Sequence, residues 1–130
     1  MAEPPRAVLV TGAAKRIGRS VALDLGRHGW NVVVHYDRSA AEAEEVAAEI
    51  RGLGRQAVAL AADLAQEDQA LALVPRANQA LGPLTALINN ASVFEHDSVA
   101  SATRRSWDFH VEINLRAPCV LSQAFAAQRP

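Results

Sequence analysis

The feature that most constrains the fold of this chain is the alternation of short apolar runs with helical segments. The apolar runs, each a predicted strand, span residues 7–11, 31–36, 56–61 and 84–89. The run from 31 to 36 has almost no polar alternation, which is typical of a strand covered on both faces. Strands that alternate with helices through short links form right-handed βαβ units on a parallel sheet. The sequence therefore predicts an α/β protein, the first half of a doubly wound fold with four strands and flanking helices.

The first two helices carry start signals in the sequence. Ile17, Val21 and Leu25 recur at the i, i+4 and i+8 spacing of a helix, soon after the first strand. The segment from Ser39 to Glu42 has the sequence of a capping box, and the residues after it are rich in Ala and Glu. We therefore expect a tight turn between the first strand and its helix, and a second helix that opens at Ser39.

The two remaining helical segments contain proline. The third helix is expected from 68 to 81, where Pro75 weakens it. A polar loop at 92–102 precedes a long helical segment that begins at Thr103. We expect Pro118 to kink that last segment.

Composition favours a small-molecule protein over several other classes. With 130 residues, half of them apolar, the chain can bury a core of its own, so we expect one domain that spans residues 1–130. Thirteen Lys and Arg against 14 Asp and Glu give no electrostatic reason to expect nucleic acid or membrane as a partner. The chain start has no apolar signal segment, and no stretch approaches the roughly 20 apolar residues of a membrane span. We therefore expect a cytoplasmic protein.

Cysteine and histidine usage predicts no metal site. Cys119 is the single cysteine, which excludes a disulfide framework and a CxxC-type site within the chain, and we expect its side chain to be a buried small hydrophobe. The histidines lack the spacing of metal ligands. They are His28, His35, His96 and His110.

The segment from Thr11 to Gly18 lies where the first strand gives way to the first helix. Glycine in such a turn lets the backbone approach a pyrophosphate. The amino terminus of the helix adds free N–H groups and the positive end of the helix dipole. The segment therefore predicts a nucleotide-phosphate site.

At these residues the chain resembles the short-chain dehydrogenase/reductase family, whose turn reads Thr-Gly-x-x-x-Gly-x-Gly. Arg16 stands here in place of the middle glycine. Thr-Gly-Ala-Ala-Lys-Arg, together with His-Tyr-x-Arg-Ser at 35–39, looks like the pteridine reductases and their bacterial relatives. Asn-Asn-Ala-Ser at 89–92 matches the Asn-Asn-Ala-Gly of the family, with Ser for Gly. The resemblance covers the whole chain and implies a Rossmann-type sheet, NAD(P) binding and a parent protein that is a homodimer or homotetramer.

The resemblance also implies the site residues. Asp63 matches the aspartate that contacts adenine, and Asn114 matches the asparagine of the catalytic Asn-Ser-Tyr-Lys tetrad, which holds a water in the proton relay. The cofactor-binding set it implies is Gly12, Lys15, Arg16, Ile17, Gly18, His35, Tyr36, Arg38, Ser39, Asp63, Leu64, Asn90, Ala91 and Ser92. Each assignment taken singly has a structural alternative, such as a helix cap at Asp63, a turn at Asn90 or a tolerated polar residue at Asn114.

The choice of nucleotide depends on the end of the second strand. A carboxylate there binds the ribose hydroxyls of NAD, whereas an arginine binds the 2′-phosphate of NADP. Tyr36 occupies the position of the NAD-type acid, and Asp37 comes one residue later, beside Arg38. Lys15 and Arg16 lie across the turn, and several cationic side chains together bind a dianionic phosphate well. We therefore favour NADP(H). NAD(H) is the alternative, supported by Asp37.

Phe94 is the candidate for substrate binding. In pteridine reductases the aromatic residue two places after Asn-Asn-Ala-Ser stacks the flat pterin against the nicotinamide, and Phe94 holds that position. An aromatic residue just past the carboxyl end of a strand also serves to pack a loop. Both interpretations stay open.

The family mechanism needs a tyrosine as proton donor and a lysine four residues after it. The chain has one tyrosine, Tyr36, and its one lysine, Lys15, precedes it, so no Tyr-x-x-x-Lys exists here. Asn114 alone cannot transfer a proton to a substrate. We therefore expect a fragment or a truncated chain, derived from an NADP(H)-dependent reductase of a carbonyl or pterin-like substrate. The alternatives are a non-catalytic NADP(H)-binding module and an inactive remnant with an exposed fourth strand.

Overall fold

The computed structural model describes residues 5–128 and contains one parallel sheet. Its strands are β1 (Ala7–Val10), β2 (Asn31–Tyr36), β3 (Ala57–Ala61) and β4 (Ala86–Ile88). They lie in the order β3-β2-β1-β4, with Leu9 of β1 opposite Val33 of β2 and Leu87 of β4. This is the order of the first half of a doubly wound sheet, and it confirms the predicted fold class.

Helices cover both faces of the sheet. They are α1 (Arg16–Arg27), α2 (Ala40–Gly52), α3 (Glu67–Leu81), α4 (Arg104–Val111) and α5 (Ala117–Ala127), with a π-helical turn at Glu112–Arg116 between α4 and α5. None of the helices in residues 5–128 is long and apolar enough to cross a bilayer.

The core has two layers, one on each face of the sheet. Val8 and Val32 point into the layer formed with α1 and α2, whereas Leu9 and Val33 point into the layer formed with α3 and α5. All four side chains are fully buried. Burial on both faces is the reason that β1 and β2 have no polar alternation.

Two features of the first pair of helices differ from the sequence interpretation. Ser39 precedes α2 as expected, but its side chain makes no capping hydrogen bond, and Glu42 lies 3.8 Å from the ammonium group of Lys15 instead. The fully buried positions of α1 include Gly18, Ala22 and Gly26, while Ile17 is exposed. The cause is close packing, since a Cβ added at Gly26 would lie 3.1 Å from Ile50 of α2.

The last helical segment also differs from expectation. Pro75 lies inside a continuous α3, and the backbone between α4 and α5 widens into the π-helical turn just before Pro118. Proline cannot donate to the carbonyl four residues earlier, here that of Asn114, and its ring crowds that carbonyl. Cys119 is exposed, because the buried positions of α5 are Ala117, Val120 and Leu121. The prediction of a buried thiol was wrong.

Candidate functional site

A cleft of about 530 Å³ lies at the carboxyl ends of the strands, where ligands bind in sheets of this kind. Its size is within the range of small-molecule and cofactor sites. It is lined by Gly12, Lys15, Arg16, Ile17, Gly18, His35, Asp37, Ala62, Asp63, Leu64, Asn90, Ala91, Ser92, Val93 and Ile113. Eleven of these fifteen residues belong to the cofactor-binding set expected from the sequence.

The glycine turn forms one wall of the cleft. Gly12 adopts φ 61°, a left-handed conformation that favours glycine. Its N–H donates to Nδ1 of His35 at 3.0 Å, and the N–H of Ala13 donates to the carbonyl oxygen of His35 at 2.9 Å. A Cβ at Gly18 would lie 2.0 Å from the carbonyl oxygen of Gly12, so only glycine lets α1 begin this close to the turn.

Thr11 and Asn90 join the glycine turn to the end of β4. The buried hydroxyl oxygen of Thr11 accepts from the N–H groups of Asn90 and Ala91 at 3.0 and 2.9 Å. The side-chain amide of Asn90 donates to the carbonyl oxygens of Thr11 and Gly12, both at 3.1 Å. Thr11 was not among the expected site residues, although it begins the family's Thr-Gly motif. Its function is to hold the two strand ends together.

The amino terminus of α1 opens into the cleft. Lys15 precedes the helix without a side-chain cap, and the first N–H groups of any α-helix have no partner within it. Arg16 and Ile17 also line the cleft at this end. The cleft therefore offers backbone donors and two cationic side chains to an anion.

Acidic groups balance part of this charge. Asp37 and Asp63 line the same cleft. One oxygen of Asp63 accepts from the N–H of Ala65 at 2.9 Å, which makes a turn ahead of α3 rather than a cap on it. Within the described part of the chain, no three His, Cys, Asp or Glu side chains are grouped to hold a metal ion.

Three residues of the expected cofactor set do not line the cleft: Tyr36, Arg38 and Ser39. The side chain of Arg38 is 95% exposed, and its Nε lies 4.0 Å from the carboxylate of Asp37. Arg38 lies in the short link between β2 and α2. In this arrangement Arg38 therefore does not line the cleft together with Lys15 and Arg16.

Burial sets the charge state of His35, which lines the cleft but is only 2% exposed. Desolvation lowers the pKa of His35 below its ordinary value of 6.5, although the carbonyl of Ala62 and the charge of Asp37 act in the opposite direction. The ring is therefore neutral at physiological pH.

Asn114 holds the chain at the edge of the cleft without lining it. Its Oδ1 accepts from the N–H of Val93 and its Nδ2 donates to the carbonyl oxygen of Val93, both at 2.8 Å. The residue lies in the π-helical turn. The structure thus gives Asn114 a positioning contact, and its role in proton relay stays a prediction.

Two further side chains of α4 continue this attachment. Nε2 of His110 accepts from the N–H of Glu95 at 3.0 Å, while its Nδ1 lies 2.7 Å from the carbonyl oxygen of Ser106. The hydroxyl of Ser106 donates to Asp97 at 2.5 Å. Hydrogen bonds from the hydroxyls of Ser101 and Ser106 lower the pKa of the Asp97 carboxyl. We call Ser106, His110 and Asn114 the helix ladder.

The helix ladder explains the exposure of Phe94. Because residues 93, 95 and 97 are attached to it, Phe94 points away and is 88% exposed. It lines a second groove, of about 420 Å³, together with Val99 and Trp107. Phe94 therefore does not pack the loop against the described core, and it lies outside the main cleft.

Comparison with known proteins identifies relatives of the chain. The family model for short chain dehydrogenase matches residues 6–129. A 3-oxoacyl-[acyl-carrier-protein] reductase FabG from Staphylococcus aureus is 35% identical over 111 residues, which cover 85% of this chain and 45% of that protein. The chain spans about half the length of the curated relatives it matches.

Solved structures agree with this comparison. FolM alternative dihydrofolate reductase 1 from Brucella suis, in complex with NADP, is 37% identical with a TM-score of 0.91, over 96% of this chain and 52% of that one. A short chain dehydrogenase from Burkholderia cenocepacia, also in complex with NADP, is 39% identical with a TM-score of 0.90, over 95% and 50% of the two chains.

Proposed function

Because the chain belongs to the short-chain dehydrogenase family, we propose that it is the NADP(H)-binding half of an oxidoreductase that reduces a carbonyl or pterin-like substrate. The observation that carries the proposal is the cleft in which a glycine turn, an uncapped helix terminus and the cations Lys15 and Arg16 meet. When bound, the nicotinamide supplies the hydride. The residues of this chain bind and orient the dinucleotide.

The residues at the cleft fit a dinucleotide. The missing side chains at Gly12 and Gly18 let the turn pack closely against Ala91, Asn90 and the start of α1, whose first N–H groups could then bind a pyrophosphate. Asp63 and Leu64, at the end of β3, would bind the adenine side. Asn90, Ala91 and Ser92, after β4, would line the path toward the nicotinamide.

The preference for NADP(H) over NAD(H) rests on Arg16, which lines the cleft next to Lys15. Arg38 would join them by leaving Asp37, a contact of two exposed groups that costs little to break. The relatives solved with NADP support this preference.

Two relatives and one side chain support the proposed substrate class. FabG is named as a reductase of a 3-oxoacyl group, which is a carbonyl substrate, and FolM as an alternative dihydrofolate reductase, which acts on a pterin ring. The exposed ring of Phe94 can stack on a flat heteroaromatic substrate. The pteridine reductase-like assignment rests on this exposure and on the residues at 11–16 and 35–39.

The chain alone should bind the dinucleotide without turning substrate over. It has no Tyr-x-x-x-Lys, and losing a general acid typically costs about 10²–10⁴-fold in rate. Asn114 would position the water of the relay once the remaining groups are supplied.

The test is calorimetric titration of the 130-residue chain with NADP⁺ and with NAD⁺, followed by an NADPH oxidation assay with pterins, ketones and quinones. We expect NADP⁺ to bind about tenfold more tightly, the scale of one charge-assisted hydrogen bond, and oxidation to equal the buffer background. Gly18→Ala should abolish binding, whereas Gly52→Ala, where an added Cβ meets nothing within 4 Å, should not. Equal affinities would contradict the NADP(H) assignment, and turnover above background would contradict the half-site proposal.

A further inference from the structure

We propose that His35 is a positioning residue: its neutral imidazole holds the glycine turn in the form that binds the dinucleotide, and protonation of the ring releases the turn. The inference rests on the proposed function, because it concerns the regulation of the same cleft. The sequence pattern predicts for His35 only a place in the cofactor-binding set.

The hydrogen bonds of His35 define which nitrogen carries the proton. Nε2 lies 2.9 Å from the carbonyl oxygen of Ala62, which can only accept, so Nε2 carries the hydrogen. Nδ1 lies 3.0 Å from the N of Gly12, whose N–H can only donate, so Nδ1 must present its lone pair. Both contacts are satisfied by one neutral tautomer.

The ring connects the ends of three strands. His35 is on β2, Gly12 follows β1 and Ala62 follows β3. These strand ends form the floor of the cleft, and both partners of the ring line it. The orientation of the Gly12 peptide, on which the pyrophosphate would rest, therefore depends on an imidazole that faces it from the interior.

Protonation is incompatible with this arrangement. A hydrogen on Nδ1 would oppose the N–H of Gly12, and rotating the ring by 180° leaves the same conflict, because both nitrogens of an imidazolium donate. The ring is buried at 2% exposure, so it cannot turn to solvent without displacing the chain around it. The imidazolium state must therefore give up the contact with Gly12.

Burial, rather than the surrounding charges, places this transition below the ordinary histidine range. Burial lowers the pKa of His35, and Arg76 of α3 acts in the same direction, while the carbonyl of Ala62 and Asp37 at the end of β2 oppose them. The other charged groups on the neighbouring turn, the segment after β3 and the first turn of α2 are Lys15, Arg16, Asp63 and Glu42. The turn is thus held above pH 6.5 and is released as the pH falls through the lowered pKa.

The first experiment measures dinucleotide affinity against pH on the 130-residue chain, at each pH where circular dichroism shows it folded. We expect the Kd of both NAD⁺ and NADP⁺ to be constant down to pH 6.5 and to rise at lower pH, about fivefold or more once the ring is protonated, the scale of one lost hydrogen bond. The 2′-phosphate of NADP⁺ is itself a titrating group, with a pKa of about 6 as in other phosphate monoesters. NAD⁺ lacks this phosphate, so a pH dependence of affinity that is seen with both nucleotides is caused by the protein.

His35→Asn is the informative variant, because the asparagine oxygen can accept from the N–H of Gly12 and does not titrate. Its NAD⁺ affinity should be independent of pH over this range. His28→Asn is the matched control, since His28 is exposed and follows α1 at the opposite end of the strands. The NAD⁺ affinity of His28→Asn should depend on pH as it does in the unsubstituted chain. An NAD⁺ affinity of the unsubstituted chain that does not change with pH would overturn the inference. So would a His35→Asn variant that loses affinity at low pH to the same extent.

The second experiment needs no dinucleotide. In the free chain, nuclear magnetic resonance should show the amide of Gly12 shifting with the same midpoint as the ring nitrogens of His35. A chemical shift of the Gly12 amide that does not follow the titration of the ring would overturn the inference. If the two titrate together but neither dinucleotide binds at pH 7.5, the coupling of ring and turn stands and the proposed function fails.

Discussion

Arg16 combines backbone strain with a place at the cleft. Among residues 5–128 it is the only non-glycine residue with a positive φ, 55°, and the family has glycine at this position. A left-handed conformation costs a residue with a Cβ about 1–2 kcal/mol. Strain of this kind is retained where a side chain has a function, and Arg16 lines the cleft that is proposed to bind the dinucleotide phosphates.

Arg16→Gly should separate stability from binding. Removing the Cβ relieves the strain and stabilises the folded chain. About 0.5–1 kcal/mol of this gain is lost again, because glycine gives the unfolded chain more conformational entropy. We expect Arg16→Gly to be about 0.5–1 kcal/mol more stable to urea than Arg16→Ala, the matched control. Both variants should lose about tenfold in NADP⁺ affinity and keep NAD⁺ affinity. If Arg16→Ala is the more stable of the two, the backbone is not strained.

Phe94→Ala tests whether the exposed ring serves binding or packing. Since Phe94 is 88% exposed, its removal should change the free energy of unfolding by no more than about 0.5 kcal/mol. Phe109→Ala, which removes a ring packed against the core, should cost about 2 kcal/mol or more. Binding of a pterin, followed by its fluorescence, should weaken in Phe94→Ala. A large loss of stability in Phe94→Ala would favour the packing interpretation.

At the scale of elements, the segment after β4 is ordered by a helix rather than by a strand partner. The helix ladder of Ser106, His110 and Asn114 repeats every four residues along α4 and the π-helical turn, while the segment attaches at every second residue. A rise of about 1.5 Å per helical residue makes four of them span about 6 Å, close to two extended residues. The match of these lengths aligns the segment with the helix.

His110→Ala should loosen this segment locally. The N–H of Glu95 loses its acceptor, which corresponds to about 1 kcal/mol of local stability. We expect the amide of Glu95 to exchange its hydrogen about fivefold or more faster, with the amides of β1 and β2 unchanged. His96→Ala, at an exposed neighbouring position, serves as the control and should leave the exchange of Glu95 as it was. Unchanged exchange in His110→Ala would show that the helix ladder does not order the segment.

At the scale of the whole molecule, the sheet has an open side at β4. Within residues 5–128, β4 pairs only with β1, and its three residues are half-buried. An apolar strand with unpaired backbone groups is a template for pairing with another chain. The chain is therefore expected to associate with itself.

A charge at this edge should reduce the association. We expect sedimentation velocity to show concentration-dependent association of the 130-residue chain, and Asn89→Lys, directly after β4, to reduce it. Gln56→Lys adds the same charge beside β3, at the opposite edge of the sheet, and should have little effect. Equal suppression by both variants would point to net charge rather than to the β4 edge.

The strands, their parallel order and the glycine turn were predictable from the sequence alone. Apolar runs such as 31–36 and the Thr-Gly motif are local signals, because burial on both faces and a tight turn each impose residue types on neighbouring positions. Eleven of the expected cofactor residues line the cleft, because parallel strands bring their carboxyl ends together at one edge of the sheet.

Only the tertiary structure decided which contacts hold the cleft together. The small buried residues of α1 carry no hydrophobic signal, whereas Ile17, whose spacing helped to predict the helix, is exposed at the cleft. His35 and Gly12 are 23 residues apart and Val93 and Asn114 are 21 apart, and nothing in the residues between them encodes the pairing. Periodicity determines which face of a segment is buried, but the partner of a polar side chain depends on where the fold places distant backbone groups.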